Sequence, residues 1–158
     1  MTIYLAKVDD ASILYKVMMA AFEEYRTVYP PSSALDETVD GIKQSLLNNG
    51  SAIIYEEDGI AHGTVMFRYI DDELYFSRVS VIPESRGRGI AKAMLSWLEN
   101  HAVERGINKV KCKVRVSVPR NIQLYKSMGY AVVEEGVVIK PDGHRLKVVT
   151  MEKRMGTF

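Results

Sequence analysis

Six consecutive residues, Arg86-Gly87-Arg88-Gly89-Ile90-Ala91, place two glycines among two guanidinium groups just ahead of an apolar periodicity through Met94, Leu95, Trp97 and Leu98. The apolar run Val79-Ser80-Val81-Ile82 precedes them. A strand, a glycine-punctuated turn and a helix in that order make an anion site from backbone alone. Glycines let successive N–H groups point inward, and the first turn of the helix adds unpaired N–H groups and the positive end of its dipole. A pyrophosphate is the expected guest. A second segment, Asn121-Ile122-Gln123-Leu124-Tyr125-Lys126-Ser127-Met128-Gly129-Tyr130, carries an amide and a phenol one helical turn apart, on one face of a short helix.

The elements that must position these groups follow from periodicity. Ile3 to Val8 reads as a first strand, and Asp9 or Asp10 as a cap for a helix through Leu14, Val17, Met18, Ala21 and Tyr25. Tyr29-Pro30-Pro31 stops that helix. Ser33-Ala34-Leu35-Asp36 starts a second one with the stripe Val39, Ile42, Leu46 and Leu47, ended by Asn49-Gly50. Ser51–Glu57 and Ile60–Tyr69 are strands joined at Asp58-Gly59, a hairpin signal, and Leu74–Ile82 is a long strand. A third helix spans Gly89 to Arg105. Lys109 to Val116 alternates basic and apolar residues, as a strand with one polar face does. A short fourth helix begins at Ser117-Val118-Pro119. Two more strands, Tyr130–Lys140 and His144–Lys153, flank the turn Pro141-Asp142-Gly143-His144. The order β-α-α-β-β-β-α-β-α-β-β predicts one α/β (α+β) domain: a mixed, mostly antiparallel sheet of about seven strands flanked by about four helices.

Three phosphate-binding patterns compete for the loop. The nucleoside-triphosphate loop, four residues between its first glycine and Gly-Lys-Ser/Thr, is absent. The dinucleotide fingerprint fails because Lys92 stands at the third small position, where close packing demands Gly or Ala. The third pattern, Arg86-x-x-Gly89-x-Ala91, resembles the R/Q-x-x-G-x-G/A loop of GNAT-superfamily N-acetyltransferases. Asn121 to Tyr130 resembles that family's second signature, an Asn followed by an aromatic-containing helix that ends in Gly-Phe/Tyr. The two motifs sit one helix plus one strand apart, as in the family, and the element order agrees over essentially the whole chain, residues 1–158 as a single domain.

The resemblance implies that the backbones of Arg86, Gly87, Arg88, Gly89, Ile90 and Ala91 hold the pyrophosphate of acetyl-CoA, with charge added by Arg86 and Arg88. It implies that Val79, Ser80 and Val81 pair with the pantetheine amides, which requires their strand to splay from Lys109–Val116. Asn121 bonds the cosubstrate, and Tyr125 is the candidate acid that protonates the departing thiolate. A backbone N–H near Val79 polarises the acetyl carbonyl while a primary amine, on a small molecule or a protein, attacks it directly. Many relatives carry a carboxylate on the strand before the loop. Leu74 to Val81 has none; Glu73, Glu23 and Glu24 lie nearby, and the base stays unassigned. Tyr25, Tyr29, Tyr69 and Tyr75 are candidates for the acceptor pocket, and Pro30-Pro31-Ser32-Ser33 corresponds to the segment covering the substrate side in relatives. A non-catalytic acyl-CoA-binding or sensing module is the alternative, since fold does not guarantee chemistry.

Composition narrows the remaining classes. A net charge of +1 over 158 residues supplies no general field for nucleic acid or membrane. An RNA-binding reading through Arg86, Arg88 and the Lys109–Arg115 face is therefore disfavoured. There is no basic-then-apolar leader and no long apolar run, and the lone Cys112 suits a reducing cytoplasm. Cys112 shares an apolar face with Val110 and Val114 and reads as a packing thiol. His62, His101 and His144 lack metal-ligand spacing, so no metal site is expected. A homodimer is compatible with these features.

Overall fold

The computed structural model describes residues 1–27 and 32–156. Seven strands form one sheet: β1 (Thr2–Leu5), β2 (Ser51–Glu57), β3 (Ile60–Ile70), β4 (Glu73–Val81), β5 (Lys109–Arg115), β6 (Ala131–Ile139) and β7 (Arg145–Arg154). They lie in the order β1-β2-β3-β4-β5-β7-β6. Every neighbouring pair is antiparallel except β4 and β5, which are parallel. Helices α1 (Ala11–Phe22) and α2 (Val39–Leu47) cover one face, and α3 (Ile90–Glu104) and α4 (Pro119–Ser127) the other.

Each layer follows from local residue chemistry. Asp58 and Gly59 both take positive φ, 53° and 77°, which matches the right-handed twist of the β2–β3 hairpin. Leu14 and Met18 of α1 meet Ile42 of α2 and Ile54 of β2 in one apolar cluster. Met94, Leu95 and Leu98 of α3 meet Val65, Leu74 and Val110 in the other. The alternation of β5 puts Val110, Cys112 and Val114 into that second core.

The structure departs from the sequence reading at some termini. The first strand stops at Leu5, because the Asp10 carboxylate accepts the Lys7 N–H at 2.8 Å and folds Val8–Asp10 into a 3₁₀ turn. The start of the second helix divides in two. Ser32 caps a 3₁₀ turn at Ser33–Asp36, and Thr38 Oγ1 accepts the Gly41 N–H at 3.0 Å to begin α2. Leu47 does not join the buried stripe; it is 62% exposed. The stop assigned to Tyr29-Pro30-Pro31 lies outside the described residues.

The fold positions the site through one irregularity. Met66 pairs with Ser77 and Thr64 with Ser80, so Arg78 and Val79 together face Val65. This bulge, with Arg78 at φ 55°, reverses the parity of β4. Leu74 and Phe76 reach the α3–α4 face before it, and Val79 and Val81 reach that same face after it. On the other side, β4 pairs with β5 only through Leu74↔Val110 and Tyr75↔Lys111. Beyond Tyr75 the two strands part.

Gly63 of β3 lets α3 approach this region. A Cβ there would lie 2.8 Å from Met94 Cε, 3.0 Å from Ile90 Cγ2 and 3.1 Å from the Ser80 carbonyl oxygen. Gly63→Val is expected to cost about 1–3 kcal/mol by overpacking. Its Tm should fall by roughly 2–4 °C per kcal/mol in thermal unfolding followed by circular dichroism.

Candidate functional site

The Arg86–Ala91 loop follows a 3₁₀ turn at Pro83–Ser85 and runs into α3. Gly87 and Gly89 adopt φ of 78° and 76°, and open space surrounds the position of a Cβ at either. Backbone conformation, rather than crowding, therefore demands glycine at both. Gly89 is the N-cap of α3 and offers no side chain to its orphan N–H groups. The first helical bond runs from Ala93 N–H to the Gly89 carbonyl at 3.0 Å, which leaves the N–H groups of the preceding turn for an anion. The loop is anchored to β3 by Ile82 N–H on the His62 carbonyl at 3.0 Å and by His62 Nδ1 with Ser85 Oγ at 2.6 Å.

Two cavities adjoin this loop. The first, about 470 Å³, is floored by Arg86, Gly87, Gly89, Ile90, Ala91 and Lys92, with Val79, Val81, Arg120 and Leu124 on its walls. The second, about 490 Å³, lies beyond it along the opening between β4 and β5 and ends at the β6–β7 turn. Phe22, Tyr25, Val79 and Asn121 line both. Phe22 and Tyr25 come from the end of the α1 layer and Asn121 from the α4 layer, so both helical layers meet where the sheet parts. The backbone of β4 beyond Tyr75 has no strand partner on its β5 side, a requirement for receiving an extended amide chain.

The sequence-predicted residues distribute unevenly. Val79, Val81, Arg86, Gly87, Gly89, Ile90, Ala91 and Asn121 line the loop-side cavity. Ser80 is fully buried with its hydroxyl donated to the Arg78 carbonyl at 2.9 Å, so only its backbone faces β5. The Arg88 guanidinium turns away to Glu57, which it holds below the usual carboxylate range. Arg86 donates to the Ala21 carbonyl at 2.9 Å and pairs with Glu24 at 3.1 Å. Glu24 also accepts from Arg120 at 2.9 Å. Burial would raise the Glu24 carboxyl, but the Arg120 hydrogen bond and the charges of Arg86 and Arg120 hold it low. Arg120 escaped the sequence reading, although its place beside Asn121 in the second signature could have flagged it; Glu24 was read only as a nearby carboxylate and Lys92 only as the residue that breaks the dinucleotide pattern, and both line the loop-side cavity.

Tyr125 lines the far cavity and is only 5% exposed. Its ring packs edge-on to Phe76 at 5.4 Å, and burial, with smaller contributions from Cys112 and Tyr25, raises its phenol well above the ordinary tyrosine range. Cys112 lines the same cavity, and burial pushes its thiol up to about 12. Among the tyrosines proposed for the acceptor pocket, Tyr25 lines it. Tyr69 instead bonds His101 of α3 at 2.6 Å near the end of β3, away from the opening along the strand, and strand alternation puts Tyr75 on the opposite face beneath Lys111. Ser32 and Ser33 line the cavity, whereas Tyr29, Pro30 and Pro31 lie outside the described residues.

None of the three candidate base carboxylates is free. Glu73 pairs with Lys111 at 3.0 Å and Lys109 at 3.4 Å, Glu23 pairs with Arg26 at 2.9 Å, and Glu24 is held as described. Burial would raise Glu73, but hydrogen bonds from Lys111, Tyr75 and Lys109 lower it. Glu152 also faces Lys109 and Lys111, so that end of the basic strand face is neutralised. Among the described residues, no helix is long and apolar enough to cross a membrane, and no group of three or more His, Cys, Asp or Glu side chains is arranged to hold a metal ion.

Comparison with known proteins agrees with this geometry. The fold superposes on ribosomal-protein-S18-alanine N-acetyltransferase from Escherichia coli with a TM-score of 0.80 at 18% identity, covering 99% of this chain and 95% of that one. It is similar to PaiA N-acetyltransferase from Thermoplasma acidophilum, a structure in complex with coenzyme A, with a TM-score of 0.76, 15% identity and coverage of 98% and 99%. It is also similar to YncA, a putative acetyltransferase from Salmonella typhimurium solved with acetyl-CoA, with a TM-score of 0.73, 20% identity and coverage of 100% and 95%. The model of the acetyltransferase (GNAT) family matches residues 14–130, a span from α1 through both signature segments, and the chain therefore belongs to the GNAT acetyltransferase family.

Proposed function

We propose that the protein is an N-acetyltransferase that moves the acetyl group of acetyl-CoA to a primary amine by direct attack within a ternary complex, in a cytoplasmic setting. The observation that carries this reading is the pair of cavities joined at Val79 and Asn121 through the opening between β4 and β5. A diphosphate on the N–H groups of Arg86–Ala91 would leave the pantetheine arm along Val79, Ser80 and Val81, with the thioester between the two cavities. The fit is supported by the open space over Gly87 and Gly89 and by the unpaired side of β4. That Asn121 lines both cavities supports its role in bonding the cosubstrate.

In the proposed reaction the amine nitrogen attacks the acetyl carbon and the C–N bond forms. A backbone N–H near Val79 receives the developing oxyanion. The C–S bond breaks, the sulfur leaves with the electron pair, and Tyr125 supplies its proton. The ammonium proton passes to water, since Glu23, Glu24 and Glu73 are committed to cations, and water returns a proton to the Tyr125 phenolate. A phenol raised by burial is a poor acid toward a solvated thiolate. A thiolate expelled into the same apolar surroundings, next to the buried Cys112, is likewise disfavoured as the anion, which favours its protonation.

Gly89→Glu should lower coenzyme A affinity by at least about 100-fold in calorimetry, because bulk and negative charge enter the diphosphate site. Its positive φ costs a non-glycine residue only about 1–2 kcal/mol, so the fold should persist. Unchanged affinity contradicts the site. Tyr125→Phe should reduce kcat by roughly 10²–10⁴ while coenzyme A affinity holds. Because burial keeps Tyr125 protonated above the ordinary phenol range, wild-type kcat should rise with pH as the amine loses its proton, with no descending limb up to about pH 10. Full turnover by Tyr125→Phe removes Tyr125 from the acid role, and an alkaline descent below about pH 10 contradicts a phenol raised by burial. Coenzyme A binding without thiol release from any amine would leave a non-catalytic acyl-CoA-binding module.

A further inference from the structure

We propose that the acceptor is a primary amine bearing a carboxylate on an apolar skeleton, an apolar amino acid rather than a polyamine; this rests on the acetyl-transfer reading above. The far cavity has an apolar wall that includes Phe22, Phe76, Val114, Val138, Leu146 and Val148. Among the described residues its lining carries four cations, Arg78, Lys113, Arg115 and Lys140, against one carboxylate, Asp36.

These cations converge from β4, β5 and the β6–β7 turn. Arg78 is oriented by Ser33 Oγ at 3.2 Å and by Glu37 at 4.0 Å, which offsets part of its charge. Lys113 and Lys140 have no carboxylate partner among the described residues, in contrast to Lys109 and Lys111, which share Glu73 and Glu152. The basic face of β5 is thus neutralised at the end remote from the cavity and keeps Lys113 without a carboxylate partner, among the described residues, at the cavity.

Two consequences follow for an amine. A carboxylate on the acceptor gains charge-assisted hydrogen bonds from guanidinium and ammonium donors, while the apolar skeleton rests on the valine and phenylalanine wall. An acceptor with several ammonium groups is repelled. The same field favours the neutral form of the acceptor amine, because like charges disfavour its protonated form. That eases deprotonation at a site whose nearby carboxylates are already paired.

The test measures thiol release by the purified full-length protein at saturating acetyl-CoA. A panel of apolar L-amino acids is set against amines of the same skeleton without the carboxylate, such as phenylalanine against 2-phenylethylamine, and against spermidine. The best amino acid is expected to exceed its decarboxylated counterpart in kcat/KM by about tenfold or more, with spermidine lowest. Lys113→Gln and Lys140→Gln should each raise KM for the amino acid about tenfold more than KM for its counterpart. A merely structural role would move both KM values together. Preference for spermidine or for the decarboxylated amines, or equal KM changes, overturns the proposal and leaves acetyl transfer standing. Coenzyme A binding with no turnover of any panel member rejects this acceptor class, and turnover of other amines then separates that failure from failure of the transferase reading.

Discussion

The two-residue contact between β4 and β5 is the constraint on which the site depends. A parallel pair inside a mixed sheet ordinarily continues its ladder, because buried backbone groups without partners cost about 1–3 kcal/mol each. Here the ladder stops after Tyr75, and the bulge at Arg78 and Val79 turns the remainder of β4 so that Val79 and Val81 face the α3–α4 layer. The opening admits the end of α1 from one face and α4 from the other. It also exposes a row of amide groups that an extended ligand can complete as a strand completes a sheet edge. The loop-side cavity and the far cavity meet at this opening, where Val79 and Asn121 line both.

Charge follows a complementary logic. The cations that the sequence displays most openly are largely occupied: Arg88 with Glu57, Arg86 and Arg120 with Glu24, Lys109 and Lys111 with Glu73 and Glu152. What the start of α3 offers an anion is therefore mainly fixed backbone N–H groups, which need no reorganisation to bind one. Lys113 and Lys140, which have no carboxylate partner among the described residues, line the far cavity instead. Tyr125 shows the same economy of placement. Packed beside Phe76 and Tyr130, it is buried enough to stay protonated and still lines the cavity.

Seven strands, four helices and their order were legible in the chain because each element carries its own periodicity and its own stop. Asp58-Gly59 specifies a hairpin by backbone conformation alone, and Gly87 and Gly89 mark a left-handed turn wherever they stand. Element ends were less legible. The early end of β1 depends on Asp10 reaching back to Lys7, and the divided start of α2 on a competition between Ser32 and Thr38 as caps. The loop, the strand before it and the Asn121–Tyr125 helix could be named from sequence because local spacing carries their chemistry.

Tertiary structure alone decided the rest. Which arginine faces a ligand and which is consumed by an ion pair depends on residues far apart in the chain: Glu24 lies 96 residues from Arg120, and Glu57 lies 31 from Arg88. Tyr25 reaches the opening while Tyr69 and Tyr75 do not, because helix ends, position along the strand and sheet parity, rather than residue type, aim a side chain. The sequence by itself determined the fold class and the two segments that carry donor chemistry, since backbone conformation and periodicity are local properties. The parting of β4 from β5, and with it the far cavity and its charge, came only from packing, since hydrogen-bond pairing and electrostatic partnership join residues that the chain order keeps apart.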